Sequence, residues 1–428
     1  MKRVRSILVL TALTACIAVN AVAGTLAPVA PGKQEQQRFR WKDRIVKIAI
    51  SSSLTKFNSN IKADSDVMGA IRRSLDVWQD AADIEFQIES VDKQNVSPAG
   101  SAGDGVSLIT IAQSAENVLF FGGDSQSVSA KTRVFYNRKG SITEADIVLS
   151  PFQQFSTDGT FGTFDLQSTL THEIGHLLGL RHSGVIGSAM SENLAKIGAL
   201  GFIDFGPRVL AESDVAAVRD LYGYGKENDE CCAAVIGKLT LPIGKTFKNL
   251  RVWAEDGGTG RVLGQADVAS DGKFRIGGLP PGTLNFFWKS KIGANGSSIG
   301  ELGAFKLESG QTGVVNQKIA LGPSALALDF IGLNGQLGES GISMETGREQ
   351  MIYLGGKGLD SRSVGIEFAS PYLHAVPTSA SNQDFGVNVS VISFVVLVDP
   401  DTPPGVYSIF ARADDGARAA IVGAIKIN

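Results

Sequence analysis

The feature that most constrains this 428-residue chain is where it places its histidines. It has only four, and three fall within His172-Glu173-Ile174-Gly175-His176-Leu177-Leu178-Gly179-Leu180-Arg181-His182. His172 and His176 are four apart, so on a helix they share one face and can reach one point. The helix must end soon after, because Gly179 can take the left-handed conformation that reverses a chain. That reversal brings His182 back toward the first two. Three imidazoles on one ion leave a fourth tetrahedral position open for water, the pattern of a catalytic rather than a structural zinc. Glu173 lies beside the ligand face without belonging to it, placed to exchange a proton with such a water.

This segment resembles the metzincin clan of zinc endopeptidases. Ser188-Ala189-Met190 follows a few residues after His182, where the clan has a methionine turn beneath the metal, and Met190 is one of five methionines. Ser183, next to the third histidine, points to the matrixin (matrix metalloproteinase) branch. Further matches are Ala145-Asp146-Ile147-Val148-Leu149, Asp165-Leu166 and the closing Asp214…Leu221-Tyr222-Gly223, so the resemblance covers roughly residues 38–225. It implies an α+β zincin fold and a zinc-dependent metalloendopeptidase. Such an enzyme hydrolyses internal peptide bonds through a zinc-activated water, with Glu173 as general base. It further implies one catalytic zinc on His172, His176 and His182, structural support from Gly179 and Met190, and a substrate-backbone strand at Asp146, Ile147, Val148 and Leu149.

The sequence also departs from the family. Once a signal peptide is removed, no cysteine precedes the catalytic block, so a cysteine switch is not expected. His374 is the only other histidine, too little for the second, histidine-built zinc of vertebrate matrixins. Glu192 and Leu194 stand where relatives often carry Pro and Tyr, so their side-chain preference does not transfer. Calcium is a second candidate ion, with Asp104, Asp124 and Asp158 in glycine-rich loops but without EF-hand spacing.

The N-terminus reads as an export signal. A basic Met1-Lys2-Arg3-Val4-Arg5 precedes an apolar stretch and Ala21-Val22-Ala23, a small-residue cleavage pattern. The expected localisation is therefore secreted. The alternative is a lipid anchor at Cys16, since Leu13-Thr14-Ala15-Cys16 resembles a bacterial lipobox. The formal net charge of -3 offers no basic excess for a phosphate backbone, which argues against nucleic acid as a partner.

Periodicity divides the rest. Val46–Ile50, Ile84–Ile88, Val106–Ile111, Arg133–Tyr136 and Asp146–Leu149 read as strands, 66–82 and about 166–178 as helices. A last helix is expected over 213–221, capped by Ser213 or Asp214. Beyond the charged stretch 226–230, helical periodicity gives way to short apolar runs between glycine-rich turns, which absorb many of the 50 glycines. This predicts two all-β sandwich domains behind the catalytic one. The first resembles a prealbumin-like, carboxypeptidase-regulatory module, carried by Lys273-Phe274-Arg275-Ile276 and Gly277-Gly278-Leu279-Pro280-Pro281-Gly282. The second resembles an IPT/TIG-type Ig-like domain. The expected organisation is a signal at 1–23, a leader at 24–38, the metallopeptidase at 39–225, a linker at 226–233 and sandwiches at 234–321 and 324–428. Partners expected are a protein or peptide substrate and, through the β modules, a cell-surface or matrix component. The adjacent Cys231 and Cys232 allow no disulfide framework.

Overall fold

The computed structural model describes residues 38–122, 128–198, 206–224, 231–291, 297–322, 324–386 and 388–428. The signal peptide, Cys16, Asp124 and the charged stretch 226–230 lie outside the described residues.

The first unit runs β1 (Arg40–Trp41), β2 (Ile45–Ser51), α1 (Ser52–Thr55), α2 (Val67–Ala81), β3 (Glu85–Val91), β4 (Leu108–Thr110) and α3 (Ala115–Phe121). It continues with β5 (Ala130–Tyr136), β6 (Ser141–Leu149), β7 (Phe155–Ser156), β8 (Phe164–Asp165), α4 (Leu166–Leu177) and α5 (Glu212–Tyr222). The amphipathic spacing of α2 buries Ile71, Leu75 and Trp78, and Asp66 caps it by accepting from the Gly69 N–H. These side chains pack with Leu170, Ile174 and Leu177 of α4 into one core under the sheet.

The sheet is parallel through β3, β2, β4 and β6, with β5 added antiparallel to β6. This corrects the expected substrate strand. Ile147 of β6 faces Ile109 of β4 on one side and Thr132 of β5 on the other, so β6 has no open edge for another chain. Asp146 is fully buried and instead accepts from the backbone N–H groups of Ser97 and Leu108, pinning the long loop before β4. The stretch that the resemblance marked as an edge strand is covered on both sides. Among the described residues, β5 forms the edge next to β6, and β3 forms the opposite edge.

The first β unit comprises β9 (Ala233–Thr240), β10 (Leu250–Asp256), β11 (Val262–Asp267), β12 (Lys273–Leu279), β13 (Gly282–Lys291), β14 (Ser297–Leu307) and β15 (Thr312–Lys318). Its sheets, β11-β10-β13-β14 and β12-β9-β15, enclose a core of Val252, Ile276, Phe286 and their neighbours. The second comprises β16 (Ala327–Gly332), β17 (Ile342–Met344), β18 (Glu349–Lys357), β19 (Val364–Phe368), β20 (Leu373–Gln383), β21 (Ser390–Val398), β22 (Gly405–Ala413) and β23 (Arg418–Ile427). Its sheets are β16-β18-β21-β20 and β17-β23-β22-β19, a two-sheet arrangement again. Among the described residues no helix is long and apolar enough to cross a membrane. Cys231 and Cys232 are joined by a disulfide just before β9.

The three units share a small apolar core of their own. Val185, fully buried, comes from the loop after His182. Trp253 and Phe287 come from the first β unit, and Val406, Phe410 and Val422 from the second. Trp253 stacks on Phe287 with ring centroids 5.1 Å apart.

Candidate metal centre

Helix α4 carries the first two histidines, and its position is over-determined. Asp165 caps its N-terminus, accepting from the Ser168 N–H at 2.7 Å, and is itself paired with Arg208. Trp78 Nε1–H donates to the Thr171 carbonyl and Trp41 Nε1–H to the Leu177 carbonyl, each at 2.9 Å. Tyr222 Oη–H donates to the Leu178 carbonyl at 2.7 Å. Gly179 then reverses the chain at φ +95°, and a Cβ built there would lie 2.1 Å from the Phe39 carbonyl oxygen. Both the conformation and the space therefore require glycine.

The reversal gathers His172, His176 and His182 so that one ring nitrogen of each lies within 4.8 Å of the others. His172 Nδ1 is 2.8 Å from the Ala189 carbonyl and His176 Nδ1 2.9 Å from the Leu180 carbonyl. A carbonyl can only accept, so both Nδ1 atoms carry the proton and both Nε2 atoms present lone pairs. Those two Nε2 atoms face each other at 3.1 Å. Two lone pairs brought together, with a third imidazole beside them, form a donor set that a cation satisfies, and three nitrogens suit zinc. Burial also holds the rings neutral. It pushes His172 down to about 3, helped by the neighbouring histidines, and lowers His176 and His182 as well.

Glu173 is 4% exposed, and burial pushes its carboxyl up to about 7. The Thr132 hydroxyl of β5 donates to Glu173 Oε2, which opposes that rise and leaves Oε1 as the less committed oxygen. A carboxyl poised near neutrality can both accept and return a proton.

Met190 lies beneath the site. It is 2% exposed, and its sulfur packs so closely on Gly175 that an added Cβ there would sit 2.2 Å from it. The turn that carries Met190 is fixed by Asp214, a fully buried residue of α5. Its carboxylate accepts from the N–H groups of Ala189 at 2.7 Å, Met190 at 3.2 Å and Ala211 at 2.9 Å. These bonds counter burial, which raises Asp214 to about 6. Asp214 thus holds Ala189, whose carbonyl orients His172. The expected capping role is corrected accordingly: α5 begins at Glu212 with Ala211 as cap, and Asp214 sits inside the first turn.

Between His182 and Met190 the chain leaves its own unit. The Gly184 N–H donates to Gln265 Oε1 of the first β unit at 3.0 Å. The Ile186 N–H donates to the Val422 carbonyl of the second at 3.0 Å, and the Ile186 carbonyl accepts from the Gly341 N–H at 3.4 Å. The loop closes where the Ser183 N–H donates to the Met190 carbonyl at 2.7 Å. Thr132, Asp214, Gln265 and Val185 escape sequence reading because their partners are tens to hundreds of positions away. Only Asp214 left a trace, as part of the closing family match.

The two expected calcium ligands among the described residues, Asp104 and Asp158, are each taken by a lysine. Asp104 pairs with Lys93 and Asp158 with Lys62, and among the described residues the histidine triad is the only cluster able to hold a metal. His374, exposed on β20, faces Asp399 at 3.3 Å.

Comparison with known proteins agrees with this centre. Residues 40–223 match the family model described as Matrixin. No curated protein matches the chain. Among solved structures, SGBP-B of a Bacteroides ovatus mixed-linkage glucan utilization locus is 13% identical over 42% of this chain and 37% of that one, at a TM-score of 0.17. The major pilin subunit BcpA of Bacillus cereus is 12% identical over 46% and 69%, at 0.16. A Bacteroides ovatus protein described as an adhesin is 9% identical over 44% and 80%, also at 0.16. Scores this low carry no argument about fold or function. With the histidine triad of α4 and its loop inside the matched segment, residues 40–223 form a matrixin-like zinc metalloendopeptidase domain.

Proposed function

We propose that this chain is an exported endopeptidase that cleaves internal bonds of protein substrates, with Glu173 as its general base. The observation that carries this reading is the placement of a buried carboxyl beside three inward-facing imidazoles. Bound on His172, His176 and His182, zinc supplies Lewis acidity, acidifying water and polarising a carbonyl. Glu173 Oε1 takes the proton from the attacking water and returns it to the leaving amine. Thr132, holding Oε2, keeps the carboxylate aimed. The unpaired edge of β5, which carries Thr132, is the strand along which substrate backbone lies, an arrangement that orients a chain without demanding one sequence.

Export rests on the signal-like N-terminus, with anchoring through Cys16 as the alternative. The unit boundaries belong to the same proposal: catalytic at 39–225, β sandwiches at 234–321 and 324–428. The test is cleavage-site profiling on a proteome digest with Glu173→Ala as control. The variant is expected to keep its zinc and lose turnover by roughly 100-fold or more. Equal cleavage by both proteins would sink the mechanism.

A further inference from the structure

The loop after His182 does more than join two parts of the metal centre. It forms one wall of a cleft of about 990 Å³ whose other walls come from both β units. The catalytic wall runs through Ser183 and Gly184, directly after the third histidine, and through Glu192 and Asn193, just past Met190. Lys245, Lys248 and Arg251 enter from the first β unit, and Glu339 and Lys357 from the second. Ser183 directly follows the ligand His182, so the cleft opens beside the metal centre.

The charges that line it are unequally committed. Asp267 is paired with Arg251 at 2.9 Å, Glu339 accepts from Asn193 Nδ2 at 3.0 Å, and Asp329 is also engaged. Lys245, Lys248 and Lys357 are exposed and have no ion-pair partner among the described residues. Against these three cations stands Glu192 as the one acid of the lining without a hydrogen-bond or ion-pair partner among the described residues. With Arg251 and Asp267 cancelling as a pair, Lys245, Lys248, Lys289 and Lys357 outnumber Glu192, Asp329 and Glu339 in the lining, so a cleft of this volume is positive by one charge.

We propose that this cleft is a substrate-selecting site in which the β units bind an acidic segment of the same polypeptide that is cut at the metal centre. The inference rests on the endopeptidase reading. The β units are then part of substrate recognition, with Lys245, Lys248 and Lys357 as the residues that read negative charge beyond the cleaved bond.

The test uses the full chain and peptides that share one cleaved core, extended at either end with a run of Glu or of Gln. For the wild type, kcat/KM for the better Glu-tailed peptide should exceed that for its Gln-tailed counterpart roughly tenfold at low salt and converge with it at high salt. The ratio should fall to about one in the combined Lys245→Gln, Lys248→Gln, Lys357→Gln protein and persist in the corresponding Arg variant. Should the Gln variant fail to fold, Lys248→Gln alone and the wild-type salt series decide. Core cleavage without a Glu preference, or a preference unchanged in the Gln variant, overturns the cleft proposal and spares the endopeptidase. Failure to cut any peptide overturns both.

Discussion

The two halves of the metal centre are built by opposite means. His172 and His176 stand on a helix held by its own unit, through Trp41, Trp78 and Tyr222. His182 opens a loop whose hydrogen bonds run to Gln265, Val422 and Gly341, and whose Val185 is buried among side chains of both β units. The first half is local chemistry, two ligands one helical turn apart. The second is a junction, in which distant parts of the chain fix one ligand's approach. The difference teaches that a short motif can name all three ligands while explaining the position of only two.

Gly179 is where the two halves meet, so its replacement should have the largest effect. Gly179→Ala puts a Cβ into a left-handed backbone and against the Phe39 carbonyl, costing about 2 kcal/mol or more. The melting temperature should drop and zinc content fall well below one per chain, read by calorimetry and elemental analysis. Normal zinc content would show that His182 reaches the metal without this turn.

Next is Asp214, the shared support of both halves. Asp214→Ala leaves the Ala189, Met190 and Ala211 N–H groups without their acceptor and should weaken zinc binding roughly 10- to 100-fold. Competition with a graded series of chelators measures this. An unchanged affinity would mean that the loop is held by the β units alone.

A pH experiment probes the junction from the other side. Burial pushes Glu255, beside Trp253, up to about 7, opposed by bonds from Ser408 and from Trp253 Nε1. A folded-state value raised above the unfolded one means that the folded form holds its proton more tightly. That stability is fully present below the ordinary carboxyl range, near pH 4, and is lost as pH rises through about 7. The wild type should therefore lose melting temperature between pH 5 and 8, and Glu255→Gln should flatten that decline. Parallel curves for the two proteins would remove Glu255 as the cause.

The smallest effect belongs to Gln265→Ala, which deletes one hydrogen bond to the Gly184 N–H and should cost about 1 kcal/mol. Zinc release into excess chelator should quicken severalfold. A matched loss in α4, such as Trp41→Phe at the Leu177 carbonyl, should leave the release rate closer to wild type. The reverse order would invert the comparison.

What could be read from the sequence follows the same division. The ligands, Glu173 and the arrest at Gly179 are legible because helix period and glycine conformation act over a few residues. The helices α2 and α4 are legible for the same reason. The substrate strand differs from expectation because a short family match marks a stretch of chain without its neighbours, and only pairing tells β5 from β6. Calcium finds no support at two of its three expected ligands: Asp104 and Asp158 look available in sequence, and Lys93 and Lys62 occupy them in the fold. Thr132, Asp214 and Gln265 act on the centre across gaps no local pattern spans.

The junction at Val185 also sets an order of assembly. A chain emerging from its N-terminus has all three histidines in hand well before residue 422 exists. Until β22 and β23 arrive, Val185 has no complete apolar surroundings and the Ile186 N–H has no carbonyl to meet. The metal centre thus gains its final packing from strands made well after its own ligands.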